Sequence, residues 1–296
     1  MKSIKRHLAR NARHFIQGIF FLIQNPFLGN FISGSIYRGE LKKICTPGLN
    51  CYSCPAAVTS CPLGAMQLYI GGVRQSISLF VTGFLLTIGA VFGRFICGYV
   101  CPMGLLQDLL YKIKTPKLVV RLKYARYVKY FVLAVLVILL PFVIRHELSG
   151  LGEPWFCKYL CPSGTIFGAV PLLIVNESLR DMAGFLTVWK LSLAGFILLA
   201  SVPVYRFFCR VLCPLGAIYA LLNPIALIRM NCDKEKCNSC GSCSDTCKLK
   251  LRPAQKPNSP ECIRCGDCKK ACENKALRYG ASHKQNIQKN EIKPDI

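Results

Sequence analysis

The chain has 296 residues, of which 52% are hydrophobic, and it carries 38 Lys and Arg side chains against 14 Asp and Glu. Its mean hydropathy of +0.36 is too high for an ordinary soluble domain, yet its many basic residues exclude a bundle that lies wholly within lipid. The composition therefore predicts a membrane protein with basic parts outside the bilayer. The chain has only 4 histidines, and they do not form the facing pairs that the haem of a cytochrome b requires.

Four stretches are candidates for membrane-spanning helices, each of which needs roughly 20 apolar residues. They are Phe15 to Tyr37, Gln75 to Gly93, Tyr130 to Ile144 and Leu191 to Tyr205. The last two have short uncharged cores, so they reach spanning length only if flanking Lys and Arg side chains extend to the interface. We therefore predict an α-helical membrane domain over residues 1–230, with about four transmembrane helices.

Basic residues are distributed unevenly between these stretches. Residues 1–14, 94–129 and 206–296 hold 5, 8 and 17 Lys and Arg, whereas residues 38–74 and 145–190 hold 4 each. Because cytoplasmic loops are enriched in Lys and Arg, we predict a multi-pass protein of the cell (inner) membrane with both termini cytoplasmic. The excess of positive charge fits attraction to a lipid bilayer. No recognisable fold interleaves basic residues with stacking aromatics, so we expect no nucleic-acid binding.

One short motif recurs after the predicted spans. Its full form is Cys-x3-Cys-Pro-x-Gly, and the three full copies are Cys97 to Gly104, Cys157 to Gly164 and Cys209 to Gly216. A partial copy from Cys61 to Gly64 follows the first span, with Cys51 and Cys54 upstream of it. Cys161 lies 100 residues after Cys61, and Cys213 lies 112 residues after Cys101. This spacing predicts an internal duplication with halves near residues 10–115 and 125–230.

The duplication predicts which cysteines meet, because parallel repeats bring equivalent positions together across a pseudo-twofold axis. On the cytoplasmic side they form an inner set of four thiols that could bind a [4Fe-4S] cluster or zinc: Cys97, Cys101, Cys209 and Cys213. On the other side, Cys157 and Cys161 would meet two of Cys51, Cys54 and Cys61 in an outer set. The outer thiols could hold one more cluster, or they could be free or form disulfides, since that compartment can be oxidising.

From Asn231 onward the sequence is polar and charged, which marks a domain boundary. Two cysteine series with the spacing Cys-x2-Cys-x2-Cys-x3-Cys follow, as in bacterial two-cluster ferredoxins, where the fourth cysteine of each series binds the other cluster. We therefore predict an α+β ferredoxin-like domain with two [4Fe-4S] clusters over residues 231–279, and a disordered tail over 280–296. The first ferredoxin set is Cys237, Cys240, Cys243 and Cys272, and the second ferredoxin set is Cys262, Cys265, Cys268 and Cys247. Cys45 and Cys232 have no assigned role.

These motifs resemble those of the membrane-bound polyferredoxins related to the NapH-type subunit of periplasmic nitrate reductase systems and the NosR-type protein of nitrous oxide respiration. The resemblance covers roughly residues 75–275 and rests on Phe92 to Gly104, Cys209 to Gly216 and Asn258 to Cys268. It implies four or more spans, cytoplasmic ferredoxin clusters, and electron exchange between a quinone pool or flavoprotein and another redox partner.

We expect an electron-transfer subunit rather than a self-contained enzyme, because the sequence carries cluster ligands and no convincing acid–base or nucleophile set. Residues 206–296 hold 17 basic and 8 acidic side chains, so an acidic ferredoxin, flavodoxin or flavoprotein is the expected soluble partner. Electron transfer across the membrane is the boldest form of this expectation. Two alternatives remain: a copper or other metal reductase for cofactor assembly that uses the outer thiols, and an iron–sulfur sensor that needs only the two ferredoxin clusters.

Overall fold

A computed structural model describes residues 2–72, 77–118, 122, 124–145 and 150–281, with side chains from residue 12 onward. Nearly all of the predicted tail over 280–296, and the start of the predicted span from Gln75, lie outside the described residues. The described chain is mostly helical, as its long apolar runs predict, and a small two-stranded sheet lies near its C-terminal end.

The helices and strands follow one another along the chain and are joined by turns and loops. The helices are Lys2–Gln24, Asn30–Ser33, Glu40–Lys43, Pro62–Ile70, Leu79–Phe92, Phe95–Tyr99, Pro102–Leu110, Ala125–Val143, Phe156–Leu160, Gly164–Val175, Glu177–Asp181, Phe185–Ser201, Phe207–Val211, Pro214–Leu222, Ser242–Asp245 and Asp267–Ala271, and the strands are Arg229–Cys232 and Leu277–Gly280. Glu40–Lys43 is a 3-10 turn, and Ala125–Val143 contains a π-helical stretch at Leu133–Leu139.

The first predicted span, Phe15 to Tyr37, is not one helix, so that prediction is wrong. The helix that begins at Lys2 ends at Gln24. The side chain of Asn25 donates to the carbonyl of Phe21 (2.9 Å), and the ring of Pro26 then prevents the helix from continuing. Gln24 turns inward and donates to the carbonyl of Val100 (3.0 Å). The apolar run is therefore divided between the end of a basic helix and the loop that follows it.

One helix in the described part of the chain is long and apolar enough to cross a bilayer, namely Ala125–Val143 with 19 residues. It contains nearly all of the third predicted span. The helices in the second and fourth predicted spans, Leu79–Phe92 and Phe185–Ser201, are apolar but have only 14 and 17 residues. By helix length, the described residues thus hold one complete candidate span where the sequence predicts four.

Each Cys-Pro pair of the repeated motif begins a helix. Proline is favoured at the first helical position, because no helical hydrogen bond needs its missing N–H and its φ angle already suits the helix. The preceding cysteines share one extended conformation, with ψ angles of 126°, 120°, 108° and 112° at Cys61, Cys101, Cys161 and Cys213. The repeat in sequence is therefore also a repeat of local structure.

The segment between residues 44 and 61 passes through the interior instead of over the surface. Leu49, Ala56 and Ala57 are at most 1% exposed. Several of its polar groups are paired within the protein, as a buried loop favours, although the hydroxyls of Thr46 and Thr59 have no hydrogen-bond partner among the described residues. The side chain of Asn50 donates to Oδ1 of Asn25 (3.2 Å), and the ends of the segment are joined by backbone hydrogen bonds around Ser60. This interior segment, residues 44–61, contains three of the outer candidate cysteines.

The ferredoxin-like part begins with the strand Arg229–Cys232, which pairs antiparallel with Leu277–Gly280. Its two short helices begin after Gly241 and Gly266, whose φ angles of 81° and 83° lie in the left-handed region that glycine adopts without strain. The sheet closes this part of the chain on itself, so that both cysteine series lie between its two strands.

Buried charges dock the ferredoxin-like part against the helices. Glu261 lies 2.7 Å from Arg94 and 2.6 Å from Lys129, and the two cations are almost fully buried. Arg264 donates to the carbonyls of Phe92 (2.8 Å) and Asn223 (2.7 Å). Such pairs tolerate burial only when their geometry is fixed, and the two parts are therefore held in one orientation.

Candidate iron–sulfur sites

The first ferredoxin set lines a cavity of about 300 Å³. All four of its cysteines contribute to the wall, and Cys272 comes from the second series, as the crossed ferredoxin pattern predicts. Cys240 is exposed to solvent. Cys232, which the sequence left without a role, lines the same cavity and contacts Cys237. The cavity therefore has five thiols, of which one was missed because it lies outside the regular spacing.

The second ferredoxin set surrounds a smaller cavity of about 20 Å³ with apolar walls. Cys247 of the first series meets Cys262, Cys265 and Cys268 there, again in the crossed pattern. Burial raises the pKa of the Cys265 thiol to about 11. Such a thiol keeps its proton at neutral pH unless a positively charged metal centre takes the place of that proton.

The inner set comes together from two helix starts that are far apart in sequence. Cys97, Cys101, Cys209 and Cys213 are each 5–7% exposed and lie within electrostatic range of one another. Backbone N–H groups point at two of the sulfurs: Leu49 N is 3.4 Å from Cys101 Sγ, and Gly216 N is 3.3 Å from Cys213 Sγ. N–H donors aimed at sulfur are typical of thiolate ligands.

Two buried arginines connect the halves of the inner set reciprocally. Arg94, three residues before Cys97, donates to the carbonyl of Cys209 (3.1 Å), and Arg206, three residues before Cys209, donates to the carbonyl of Cys97 (2.5 Å). This exchange is reciprocal, as the predicted duplication leads one to expect. Neither arginine is predicted from the cysteine spacing, although each stands at the same place before its cysteine pair.

The outer set lines a cavity of about 370 Å³ that also contains Lys158 and Lys190. Cys157 and Cys161 meet Cys51 and Cys61 there, whereas Cys54 lies apart, with its Sγ 3.7 Å from Oδ1 of Asn25. Of the three upstream candidates, the structure therefore brings two to the outer set. All 19 cysteines lie within the described residues, and none of them forms a disulfide there.

The donor chemistry of the four sets fits [4Fe-4S] clusters better than single metal ions. Among the described residues, no three His, Cys, Asp or Glu side chains are close enough together to hold one ion. A cubane carries an iron at each of four corners, so its thiolates stand farther apart than those around a single zinc ion. Each set consists of four thiols without a histidine or carboxylate, which is the ligand type of iron–sulfur clusters.

The four sets follow one another through direct contacts. The two ferredoxin sets exchange Cys247 and Cys272. The second ferredoxin set meets the inner set through Tyr99, whose hydroxyl donates to the carbonyl of Cys265 (3.3 Å). The inner set meets the outer set through Leu49, whose N–H points at Cys101 and whose carbonyl accepts from Ser163 Oγ (3.2 Å), two residues after Cys161. A continuous path of packed protein therefore joins all four sets.

Comparison with known proteins identifies the repeat. The family described as "4Fe-4S binding domain" matches three segments, residues 73–123, 130–175 and 186–231. Each segment contains one full copy of the cysteine motif, and the partial copy at Cys61 lies outside them.

Several relatives share much of the chain. An uncharacterised protein of Methanocaldococcus jannaschii is 30% identical over 76% of this chain and 88% of its own length. The regulatory protein NosR of Stutzerimonas stutzeri is 26% identical over 56% of this chain but only 21% of its own length. The methylamine utilization ferredoxin-type protein MauN of Methylorubrum extorquens is 28% identical over 63% of this chain and 59% of its own length. No solved structure matches the chain.

The repeated family match and the relatives confirm the resemblance that the motifs predict. The matching family is described by its 4Fe-4S binding, and the MauN relative is named as a ferredoxin-type protein. The chain belongs to the NapH/NosR-like polyferredoxin family of 4Fe-4S binding proteins and is an iron–sulfur electron-transfer protein.

Proposed function

We propose that the protein is an electron wire through a membrane, with one [4Fe-4S] cluster at each of the four cysteine sets. Electrons would pass between a cytoplasmic ferredoxin, flavodoxin or flavoprotein, or a quinone, and a redox partner on the other side. When bound, each cluster supplies a centre that takes up and releases single electrons. The residues of the chain hold the sulfurs, exclude water from the buried sets and keep neighbouring sets in contact.

The observation that carries this proposal is the unbroken order of the sets. The hydrocarbon core of a bilayer is about 30 Å thick, so clusters at opposite interfaces would be too far apart for rapid tunnelling. The interior segment 44–61 removes this difficulty, because Leu49 contacts Cys101 of the inner set while Cys51 and Cys61 belong to the outer set. A protein-enclosed loop at membrane depth is allowed where its polar groups are paired within the protein.

The helix Ala125–Val143 supports placing the ferredoxin sets and the outer set towards opposite faces. Its 19 residues rise by about 28 Å at 1.5 Å per residue. Near its start Lys129 binds Glu261 of the ferredoxin-like part, and near its end Pro141 lies against Gly152, shortly before Cys157. We place the ferredoxin-like part and both termini in the cytoplasm, as the distribution of basic residues favours.

The number of sets also separates this function from the alternatives. A sensor of oxygen or iron needs only the two ferredoxin sets, and two further buried sets would have no use in it. A metal reductase would use the outer set as its reaction site, so its electrons would also have to arrive through the inner set. Two measurements therefore distinguish these functions: the number of clusters, and whether the outer set passes electrons on to other acceptors.

The first experiment counts clusters in the full chain under anaerobic conditions. Four filled sets give about 16 iron atoms per chain, with matching acid-labile sulfide and electron paramagnetic resonance (EPR) signals from four centres on stepwise reduction. Cys101→Ser should lower the iron content by up to one cluster, and Cys54→Ser, a buried cysteine outside the sets, should not. Iron for only two clusters, or equal losses from the two variants, would contradict the proposal.

The second experiment measures crossing in sealed vesicles, with a reduced acidic ferredoxin outside and an impermeant acceptor inside. Only molecules oriented with the ferredoxin-like part outward contribute to the signal. We expect crossing well above that of empty vesicles, and its loss in the Cys61→Ser, Cys161→Ser double variant but not in Cys54→Ser. Reduction of Cu(II) by the outer set without transfer to other acceptors would instead favour the metal reductase.

A further inference from the structure

Two glutamines occupy the same position in the first two copies of the cysteine motif. Gln67 follows Cys61 by six residues, and Gln107 follows Cys101 by six residues, in helices that both begin with Cys-Pro. Both side chains are completely buried. The other two copies of the motif, both in the second half, carry Phe167 and Tyr219 at this position, so both glutamines come from the first half.

Each glutamine amide points at a cysteine sulfur of one set. Nε2 of Gln107 lies 3.0 Å from Sγ of Cys209 in the inner set, and Nε2 of Gln67 lies 3.2 Å from Sγ of Cys157 in the outer set. Cys157 and Cys209 are equivalent, because each is the first cysteine of its copy of the motif. Cys157 belongs to the second copy after that of Gln67, and Cys209 belongs to the second copy after that of Gln107. The same contact is thus built twice, once for each set.

The oxygen of each glutamine amide is also held by an equivalent hydrogen bond. Oε1 of Gln107 accepts from the backbone N–H of Phe208 (3.1 Å), and Oε1 of Gln67 accepts from that of Phe156 (3.0 Å). Because an N–H can only be paired with the oxygen of the amide, the NH₂ group has to face the sulfur. Nε2 also donates to the carbonyl four residues earlier, at 3.2 Å in both helices, and Oε1 of Gln107 accepts a further hydrogen bond from Ser201 Oγ (3.5 Å).

We propose that Gln67 and Gln107 set the reduction potentials of the outer and inner clusters by donating a hydrogen bond to one ligand sulfur of each. This inference rests on the proposed function, which puts a cluster at both sets. Reduction adds negative charge to a cluster, and an N–H aimed at its sulfur stabilises the reduced form more than the oxidised form. The effect is larger in a buried site, where water cannot replace the lost donor.

The variants to compare are Gln107→Met and Gln67→Met, because methionine keeps the length of the side chain and removes the N–H donors. Hydrogen bonds to charged groups contribute about 1.5 kcal/mol or more. We therefore expect the equilibrium constant for reduction to fall about tenfold, which is ~59 mV for a one-electron couple. Each variant should lower the potential of one cluster, and the double variant should lower both.

Gln24→Met is the matched control. Gln24 is also buried, and it donates to the carbonyl of Val100 beside the inner set but to no sulfur. Redox titration of the full chain followed by EPR gives the potentials, and iron content is measured in parallel. Potentials that stay unchanged in both variants with full iron content, or a shift in Gln24→Met of the same size, would overturn the inference and leave the glutamines as helix contacts.

A measurement on the wild-type protein decides the question even if a variant loses a cluster. Protein with ¹⁵N in its glutamine side-chain amides is reduced and examined by pulsed EPR. A nitrogen coupling on the inner and outer clusters supports the hydrogen bonds, and clusters without such a coupling refute them. An absence of cluster signals from the inner and outer sets in unlabelled wild type is a different result, because it contradicts the proposed function itself.

Discussion

Arg94 and Arg206 are buried cations at equivalent places in the two repeats, and each is paired with a carboxylate from a different source. Arg206 lies 2.6 Å from Asp108 of the helical part, and Arg94 lies 2.7 Å from Glu261 of the ferredoxin-like part. Removing a charge from water costs several kcal/mol, so a buried pair of this kind rarely adds net stability. Its effect is to fix geometry, since each guanidinium also holds a cysteine carbonyl of the opposite repeat.

Loss of one of these arginines should be strongly destabilising. In Arg206→Leu, the buried carboxylate of Asp108 keeps only a weaker contact with Arg13 (3.4 Å) and a hydrogen bond from the neutral amide of Gln17 (3.1 Å). Leaving a buried charge without its main partner costs about 3–5 kcal/mol, and we expect that loss in denaturant unfolding of the detergent-solubilised protein. The control is Arg180→Leu, because the exposed pair of Arg180 with Glu177 is worth about 0–1 kcal/mol. Equal effects of the two substitutions would refute this interpretation of Arg206.

At the scale of single residues, the sequence predicts the cysteines of each set better than it predicts the side chains around them. Regular spacing identifies ligands because a cluster constrains the chain at every ligand. The choice of Cys51 over Cys54 depends on how the interior segment folds, and no spacing rule expresses that. Arg94, Gln67 and their counterparts act across the repeat, so only the comparison of equivalent positions in the copies of the cysteine motif could have revealed them.

At the scale of elements, local chemistry predicts where helices begin more reliably than how far they extend. Cys-Pro marks the helix starts because proline prefers the first turn. Helix lengths fell short of the predicted spans because tertiary contacts end the helices early. The helix Leu79–Phe92 stops at Gly93, whose φ is 54°, and Asn223 then accepts a hydrogen bond from the N–H of Arg94 (3.0 Å).

Gly93 is the position where this helix end is most sensitive to substitution. A Cβ at Gly93 would lie 2.6 Å from Oδ1 of Asn223, and alanine also disfavours a positive φ by roughly 1–2 kcal/mol. We expect Gly93→Ala to lower the free energy of unfolding by on the order of 2 kcal/mol or more. Gly83→Ala in the same helix has open space around it and should raise that energy by about 0.5–1 kcal/mol. Unfolding midpoints of the two variants that shift in the same direction would contradict the argument.

At the scale of the whole molecule, the helical and ferredoxin-like parts form one structural unit. The change in composition at Asn231 predicts a domain boundary, but it cannot reveal how the polar region docks. Docking depends on Glu261, which pairs with Arg94 in the turn before Phe95–Tyr99 and with Lys129 in the helix Ala125–Val143. Such long-range pairs leave no local pattern in the sequence, because each residue alone looks like an ordinary charged side chain.

The positive charge of the ferredoxin-like part should guide an acidic electron donor to the first ferredoxin set. Residues 206–296 carry 17 basic and 8 acidic side chains, and Lys236 lines the cavity beside the exposed Cys240. Electrostatic attraction raises association rates at low salt and is screened within about 10 Å at 0.1 M salt. Stopped-flow reduction of the full chain in detergent by an acidic ferredoxin should therefore slow down as the ionic strength rises.

Two charge reversals, one beside the first ferredoxin set and one far from it in sequence, distinguish electrostatic attraction of the donor to that set from a general effect of net charge. Lys236→Glu should reduce the association rate severalfold at low salt and flatten its dependence on ionic strength. Lys43→Glu changes the net charge equally at an exposed lysine far from the ferredoxin sets in sequence, and both lysines belong to exposed pairs with an acidic residue three positions earlier. Lys43→Glu should leave the association rate of the donor unchanged. Equal slowing by the two variants, or a rate independent of salt in the wild type, would mean that the positive charge serves binding to lipid and not recognition of the donor.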